Sequence, residues 1–295
     1  MRTLLLAGAF ALAAPLAEAR PDTTQSVDTR LLQRQDLPYA FETEQSDSVD
    51  GQRHYQLWIG VPKKPAPPGG YPVIWMLDGN AAFSALDEAQ LTHLARGDAP
   101  MLVAVGYQGD QRFERSARSF DYTPAGSTAP GEVDPLTGQP SGGADLFLDL
   151  LTQRIRPSLA SKWPMDMNCQ TIWGHSYGGL LVLHALFTRP DAFSDYVAAS
   201  PSLWWGDGAA AREAEGLTGR LPVHGARLLL MRGSAEPAAP GQPPTPGADQ
   251  AMRNLLAQLR QVEGLTTRYQ AFDGLGHGPM LPASLHALLD ERGAP

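Results

Sequence analysis

The chain holds 295 residues, 43% of them hydrophobic, with 31 acidic against 23 Lys and Arg side chains and a net charge of −8. That balance argues against a nucleic-acid partner, which would need a basic face, and the length fits one α/β domain with a sizeable core. The single cysteine, Cys169, excludes an internal disulfide and reads as apolar filling at a strand start.

In chain order the first element is a leader. Arg2 precedes an apolar run from Leu4 to Ala14, and Ala17-Glu18-Ala19 supplies a small-x-small cleavage site, the signature of a secretory signal peptide over 1–19. The run is shorter than the roughly 20 residues that a membrane span needs, so no stable transmembrane segment is expected. Residues 20–38 lack a sustained period and read as a segment lying over the domain. Strands follow at 39–43 and 54–61, turned at Asp50-Gly51, then core strands at 72–77 and 101–106 with a helix over 82–96 between them, a βαβ unit. Residues 108–143 are rich in glycine, proline, serine and charge, which predicts a long loop or lid beside a site. A helix over 144–162, a strand at 169–173 and a buried helix at 180–187 come next. Strands at 196–200 and 226–232, a helix over 249–262, a strand at 266–272 and a closing helix at 283–290 complete one doubly wound domain over 20–295.

Gly174-His175-Ser176-Tyr177-Gly178 falls between the strand at 169–173 and the helix at 180–187. A serine flanked by glycines at a strand-to-helix junction is a nucleophile elbow, because strand, serine and helix crowd one another and tolerate only small neighbours. The expected fold is therefore an α/β-hydrolase three-layer sandwich with a mainly parallel central sheet. An alcohol needs a base, and His277, on the glycine-rich loop after the last strand, is the expected one. Glu236, in the loop after the strand at 226–232, is the favoured orienting acid, with Asp249 and Asp273 as runners-up and a Ser-His dyad as the alternative. The Tyr177 amide is the expected oxyanion donor, joined by Gly79 or Asn80 after the strand at 72–77. Arg112, Arg115 and Arg118 recur at three-residue spacing, either as a basic cluster for an anionic substrate or as a solvated helical turn. Trp204-Trp205 serves equally as a pocket wall or as core.

On Tyr71 to Asn80, Val105-Gly106-Tyr107, Arg118 to Pro124, Gly174 to Gly179 and Gly276-His277-Gly278, the chain resembles the putative-esterase branch of the α/β-hydrolases, especially periplasmic enterobactin esterases. The resemblance implies a serine esterase acting in the periplasm on a tris-catecholate siderophore, ferric or metal-free, to assist iron release. It implies Ser176 and His277 as catalytic residues and Arg118 as a catecholate contact, while Glu236 is not carried over because relatives differ in their acid. No cofactor is implied; iron enters only with the substrate, and a transient contact with an iron-uptake system is expected. Two other readings stay open: a general carboxylic esterase or acyltransferase, and a non-catalytic siderophore-binding protein.

Overall fold

The computed structural model describes residues 25–125 and 133–294; the leader expected over 1–19 lies outside them. Polar turn residues at Asp50-Gly51, where Gly51 takes a φ of 68°, fold the chain back so that β1 (Tyr39–Asp47) pairs antiparallel with β2 (His54–Pro62). The next strands, β3 (Tyr71–Met76), β4 (Met101–Tyr107), β5 (Met165–His175), β6 (Asp195–Ala199), β7 (Ala226–Gly233) and β8 (Leu265–Phe272), extend this pair into an eight-stranded sheet of order β1-β2-β4-β3-β5-β6-β7-β8. β2 meets β4 antiparallel, and every neighbouring pair from β4 to β8 is parallel. This is the expected three-layer α/β arrangement.

Parallel strands need crossover helices, and these cover both faces of the sheet, so the central strands are apolar on each side. One core layer joins the sheet to α4 (Ala144–Leu150), α5 (Arg156–Ala160), α6 (Tyr177–Thr188), α7 (Ala209–Glu215) and α8 (Gln250–Leu259). The other joins it to α1 (Gly79–Ser84), α2 (Glu88–Leu94) and α9 (Met280–Gly293). Neighbouring positions on one strand serve opposite layers: Trp75 packs in the first and Met76 in the second. Each fully buried side chain of this size stabilises the fold by roughly 1.5–3 kcal/mol. Trp75 also keeps its polar atom satisfied, its Nε1 donating to Gln170 Oε1 at 2.7 Å.

The helices depart from expectation in physically legible ways. The span expected as one helix over 82–96 is two, because Asp87 begins α2 with a capping box, its carboxylate accepting from Gln90 N and Gln90 reaching back to Asp87 N. The helix expected over 144–162 contains a π turn at Leu151–Ile155, followed by Pro157 near the start of α5. Within the stretch expected to be irregular, α3 (Arg115–Asp121) forms behind Glu114, whose side chain caps Ala117 N. Among the described residues no helix is long and apolar enough to cross a membrane.

Candidate active site

The carboxyl ends of β3, β5, β6, β7 and β8 share one edge of the sheet, the edge where open α/β sheets place their ligands. At the end of β5, Ser176 joins strand to helix with φ 61° and ψ −117°, a conformation that L-residues avoid. The glycines around it are required by space. A Cβ on Gly174 would lie 2.4 Å from the carbonyl carbon and oxygen of Gly178, and one on Gly179 would lie 2.8 Å from Ala199 O. The turn is anchored on its neighbour β6 by Ser176 N donating to Ala199 O at 3.0 Å.

The loop between β8 and α9 brings His277 over the elbow. Its Nε2 lies 3.0 Å from Ser176 Oγ, and its Nδ1 lies 2.9 Å from Glu236 Oε2. Because the ionised carboxylate only accepts, Nδ1 carries the proton and Nε2 is left to accept from the Ser176 hydroxyl. Behind the ring sits His175, whose Nε2 donates to His277 O at 2.9 Å with the ring centroids 4.6 Å apart. Burial first, then the charges of His277 and Arg118, hold His175 well below the usual histidine range, so it props the loop as a neutral ring.

Glu236 is 2% exposed and its carboxylate is fully used: Oε1 accepts from Ser200 Oγ at 2.6 Å and Gly233 N at 2.7 Å, while Oε2 faces His277. Burial pushes its pKa up, but the hydrogen bond and charge of His277, the Ser200 hydroxyl and the Arg232 charge outweigh this and leave it lowered. Asp273 instead accepts from Ser234 Oγ, and Asp249 is paired with Arg253. The structure therefore brings Ser176, His277 and Glu236 into one hydrogen-bonded line and leaves both runner-up acids out of it.

A cleft opens beside this line, lined by Leu203, Trp204, Pro237, Ala239 and Pro240. Ser202 lines it with its Oγ 3.5 Å from Ser176 Oγ. Toward β3, Tyr177 and Gly79 open α6 and α1, where amides have no intrahelical acceptor. Asn80 keeps only its backbone for such a role, since its side chain is held by Trp58 Nε1, Tyr107 O and Gln111 O at 2.8–2.9 Å.

The arginines sit elsewhere. Arg118 is 4% exposed and grips Asp78 through two hydrogen bonds of 2.7 and 2.8 Å, with the rings of Phe113, Tyr122 and Tyr177 around its guanidinium. Arg112 donates to Gln25 at 2.5 Å, and Arg115 opens α3. None of these three lines the cleft, whereas Trp204 does; among the described residues lining it, Arg232 is the one Lys or Arg side chain. Arg118 is expected from sequence to meet substrate, and the reason it does not line the cleft is the buried Asp78 carboxylate.

Sequence reasoning missed Asp78, Ser200, Ser202, Arg232 and Asp134. The two serines stand in Ser200-Pro201-Ser202 directly after β6, so their place on the ligand edge was available as a signal. Asp134 carried none. It is buried in the loop over 133–141, takes Tyr177 OH at 2.5 Å and Trp205 Nε1 at 3.3 Å on Oδ2, and on Oδ1 takes Leu136 N at 3.0 Å and Thr137 N at 2.6 Å. That docking brings Leu136 to the cleft.

A strained serine at the end of a central parallel strand, in line with a histidine and a buried carboxylate on the ligand edge, defines a serine hydrolase of α/β-hydrolase architecture. Residues 37–279 match the family described as "Putative esterase", and the chain belongs to it. It is 36% identical over 279 residues to the apo-salmochelin esterase of Escherichia coli O6:H1 (strain CFT073), covering 93% of this chain and 86% of that one. It is 31% identical over 248 residues to the ferri-bacillibactin esterase BesA of Bacillus subtilis (strain 168), covering 82% and 85%. Among solved structures, the enterobactin hydrolase IroE in complex with DFP superposes with a TM-score of 0.76 at 34% identity, over 90% of this chain and 99% of that one. The chain is a carboxylic ester hydrolase of the serine type.

Proposed function

We propose that this protein is a siderophore esterase that cleaves the serine-ester bonds of a tris-catecholate trilactone or of its linear products, releasing iron by dismantling a multivalent chelator. The observation that carries this reading is the Ser176–His277–Glu236 line in a chain that matches a salmochelin esterase over nearly all its length. Ser176 Oγ bonds to the ester carbonyl carbon as its proton passes to His277 Nε2, and Glu236 supports the imidazolium through Nδ1. The amides of Tyr177 and of Gly79 or Asn80 receive the oxyanion. When the carbonyl re-forms, the ester C–O bond breaks and His277 hands its proton to the leaving alkoxide. Water, giving a proton to the same nitrogen, then attacks the acyl-enzyme and returns Ser176 as an alcohol.

The leader with its Ala17-Glu18-Ala19 site supports the periplasm as the place of action, and release of iron there supports a transient contact with an uptake system. No cofactor enters the proposed steps; ferric iron arrives as cargo of the substrate. One relative is named for an apo substrate and another for a ferric one, so both forms belong in the test. Time-resolved mass spectrometry with metal-free and ferric tris-catecholate trilactone is expected to show linear trimer followed by shorter fragments, abolished in Ser176→Ala. Absence of cleavage of both forms by the folded parent protein would remove the siderophore reading.

A further inference from the structure

Arg232 is the last residue but one of β7, its side chain is 9% exposed, and its guanidinium serves two structures at once. Its Nη2 donates to Pro237 O at 2.8 Å and lies 3.3 Å from both Glu236 O and Ala248 O. These carbonyls stand at the two ends of the proline-rich loop whose residues Pro237, Ala239, Pro240 and Ala248 line the cleft. Its Nη1 lies 3.6 Å from Glu236 Oε2, the oxygen that holds His277. The fork divides the work, Nη2 holding the loop-end carbonyls while Nη1 faces the carboxylate; the single nitrogen of a lysine cannot occupy both places.

We infer that Arg232 is a positioning residue that locks the acid of the relay and the wall of the substrate cleft into one unit. The inference rests on the proposed roles of Glu236 and His277, and it adds that the cleft wall and the relay share a single support. The ionisable groups that share this region are Glu236, with His277 on its other side, and Tyr269 on β8, which also feels Asp249 and Arg253, themselves paired with each other. Glu236 accepts from His277 and lies 3.6 Å from the Arg232 guanidinium, so removal of the cation acts on the Glu236–His277 pair.

Two substitutions separate the two duties. In Arg232→Gln the cation is lost, which favours proton uptake by the hydrogen-bonded Glu236–His277 pair as a unit; the acid limb of kcat/KM on a small activated ester, p-nitrophenyl acetate, is expected to move up by about one pH unit, the low end of the effect of a cation at this range. In Arg232→Lys the charge stays but the loop ends are no longer spanned. The acid limb is then expected to remain in place while KM for a tris-catecholate trilactone rises about tenfold. Melting curves control for folding. An unshifted acid limb in Arg232→Gln, or an unchanged KM in Arg232→Lys, would overturn the inference, and the lysine variant alone decides it if the glutamine variant does not fold. The small ester keeps the glutamine arm independent of the siderophore assignment, turnover of the trilactone by the parent establishes that assignment before the lysine arm is read, and Glu236→Ala with parental kcat would instead sink the relay itself.

Discussion

Replacing Glu236 by glutamine keeps its volume but converts one acceptor oxygen into an NH2 donor, and the structure decides which one. With the NH2 on the Oε1 side it would face Gly233 N–H and Ser200 Oγ. The hydroxyl can turn to accept, but the buried amide is left without an acceptor, at about 1–3 kcal/mol. With the NH2 on the Oε2 side it faces His277 Nδ1, and the imidazole relieves the clash by moving its proton to Nε2. That second arrangement is cheaper, so it prevails, and it leaves Ser176 without a base. Meanwhile His175 still holds His277 O, so the ring keeps its place and the loss is chemical rather than geometric. The equivalent amide substitution in a chymotrypsin-type triad lowers kcat about 10⁴-fold, which is about 5.4 kcal/mol of barrier. The expected result for Glu236→Gln is therefore a loss of about 10³- to 10⁴-fold in kcat on an activated ester at neutral pH, with the melting temperature within a few degrees of the parent. A loss under about tenfold in the folded variant would refute this reasoning and leave a Ser176–His277 dyad.

Gly174→Ala places a methyl group 2.4 Å from the Gly178 backbone, where no flexible side chain can yield, and is expected to cost about 3 kcal/mol or more in denaturant-melt stability. Asp78→Ala strands the buried Arg118 guanidinium; a loss of about 3–5 kcal/mol is expected by the same measurement, and a loss under about 1 kcal/mol would show that the pair is not needed. His184 is buried, which lowers its pKa, but the Asp145 carboxylate 3.4 Å from its Nε2 and the Glu213 carboxylate that accepts from its Nδ1 outweigh burial and raise it to about 9 from 6.5. Its folded pKa is raised, so its stabilisation is full below pH 6.5 and is lost as pH rises through 9. The parent is expected to lose up to about 3 kcal/mol across that window relative to His184→Gln, read from chemical denaturation at several pH values.

The sheet was legible because its central strands are short apolar runs bounded by turn residues, and Ser176 and His277 were legible because glycine brackets both. Glu236 could be favoured from its place after β7, yet nothing in its neighbours marks the Ser200 hydroxyl and Gly233 amide that hold it, since those contacts cross from β6 and the strand end. The arginines show the opposite case. Three-residue spacing placed Arg118 on a helix correctly enough, but its partner Asp78 lies 40 residues away, and no local pattern foretells a buried pair of that separation. The helix breaks at Asp87 and at 151–155 depend on a cap and a π turn within sequences whose apolar content alone reads as continuous.

The docking of the 133–141 loop through one carboxylate has a consequence for how such a hydrolase changes over generations. Asp134 holds the loop to Tyr177 and Trp205, while Leu136 is the loop residue that lines the cleft. An exchange at Leu136 thus alters the cleft wall while the Asp134 contacts that dock the loop stay in place. A change at Asp134 itself travels the other way, into the residue that follows the nucleophile.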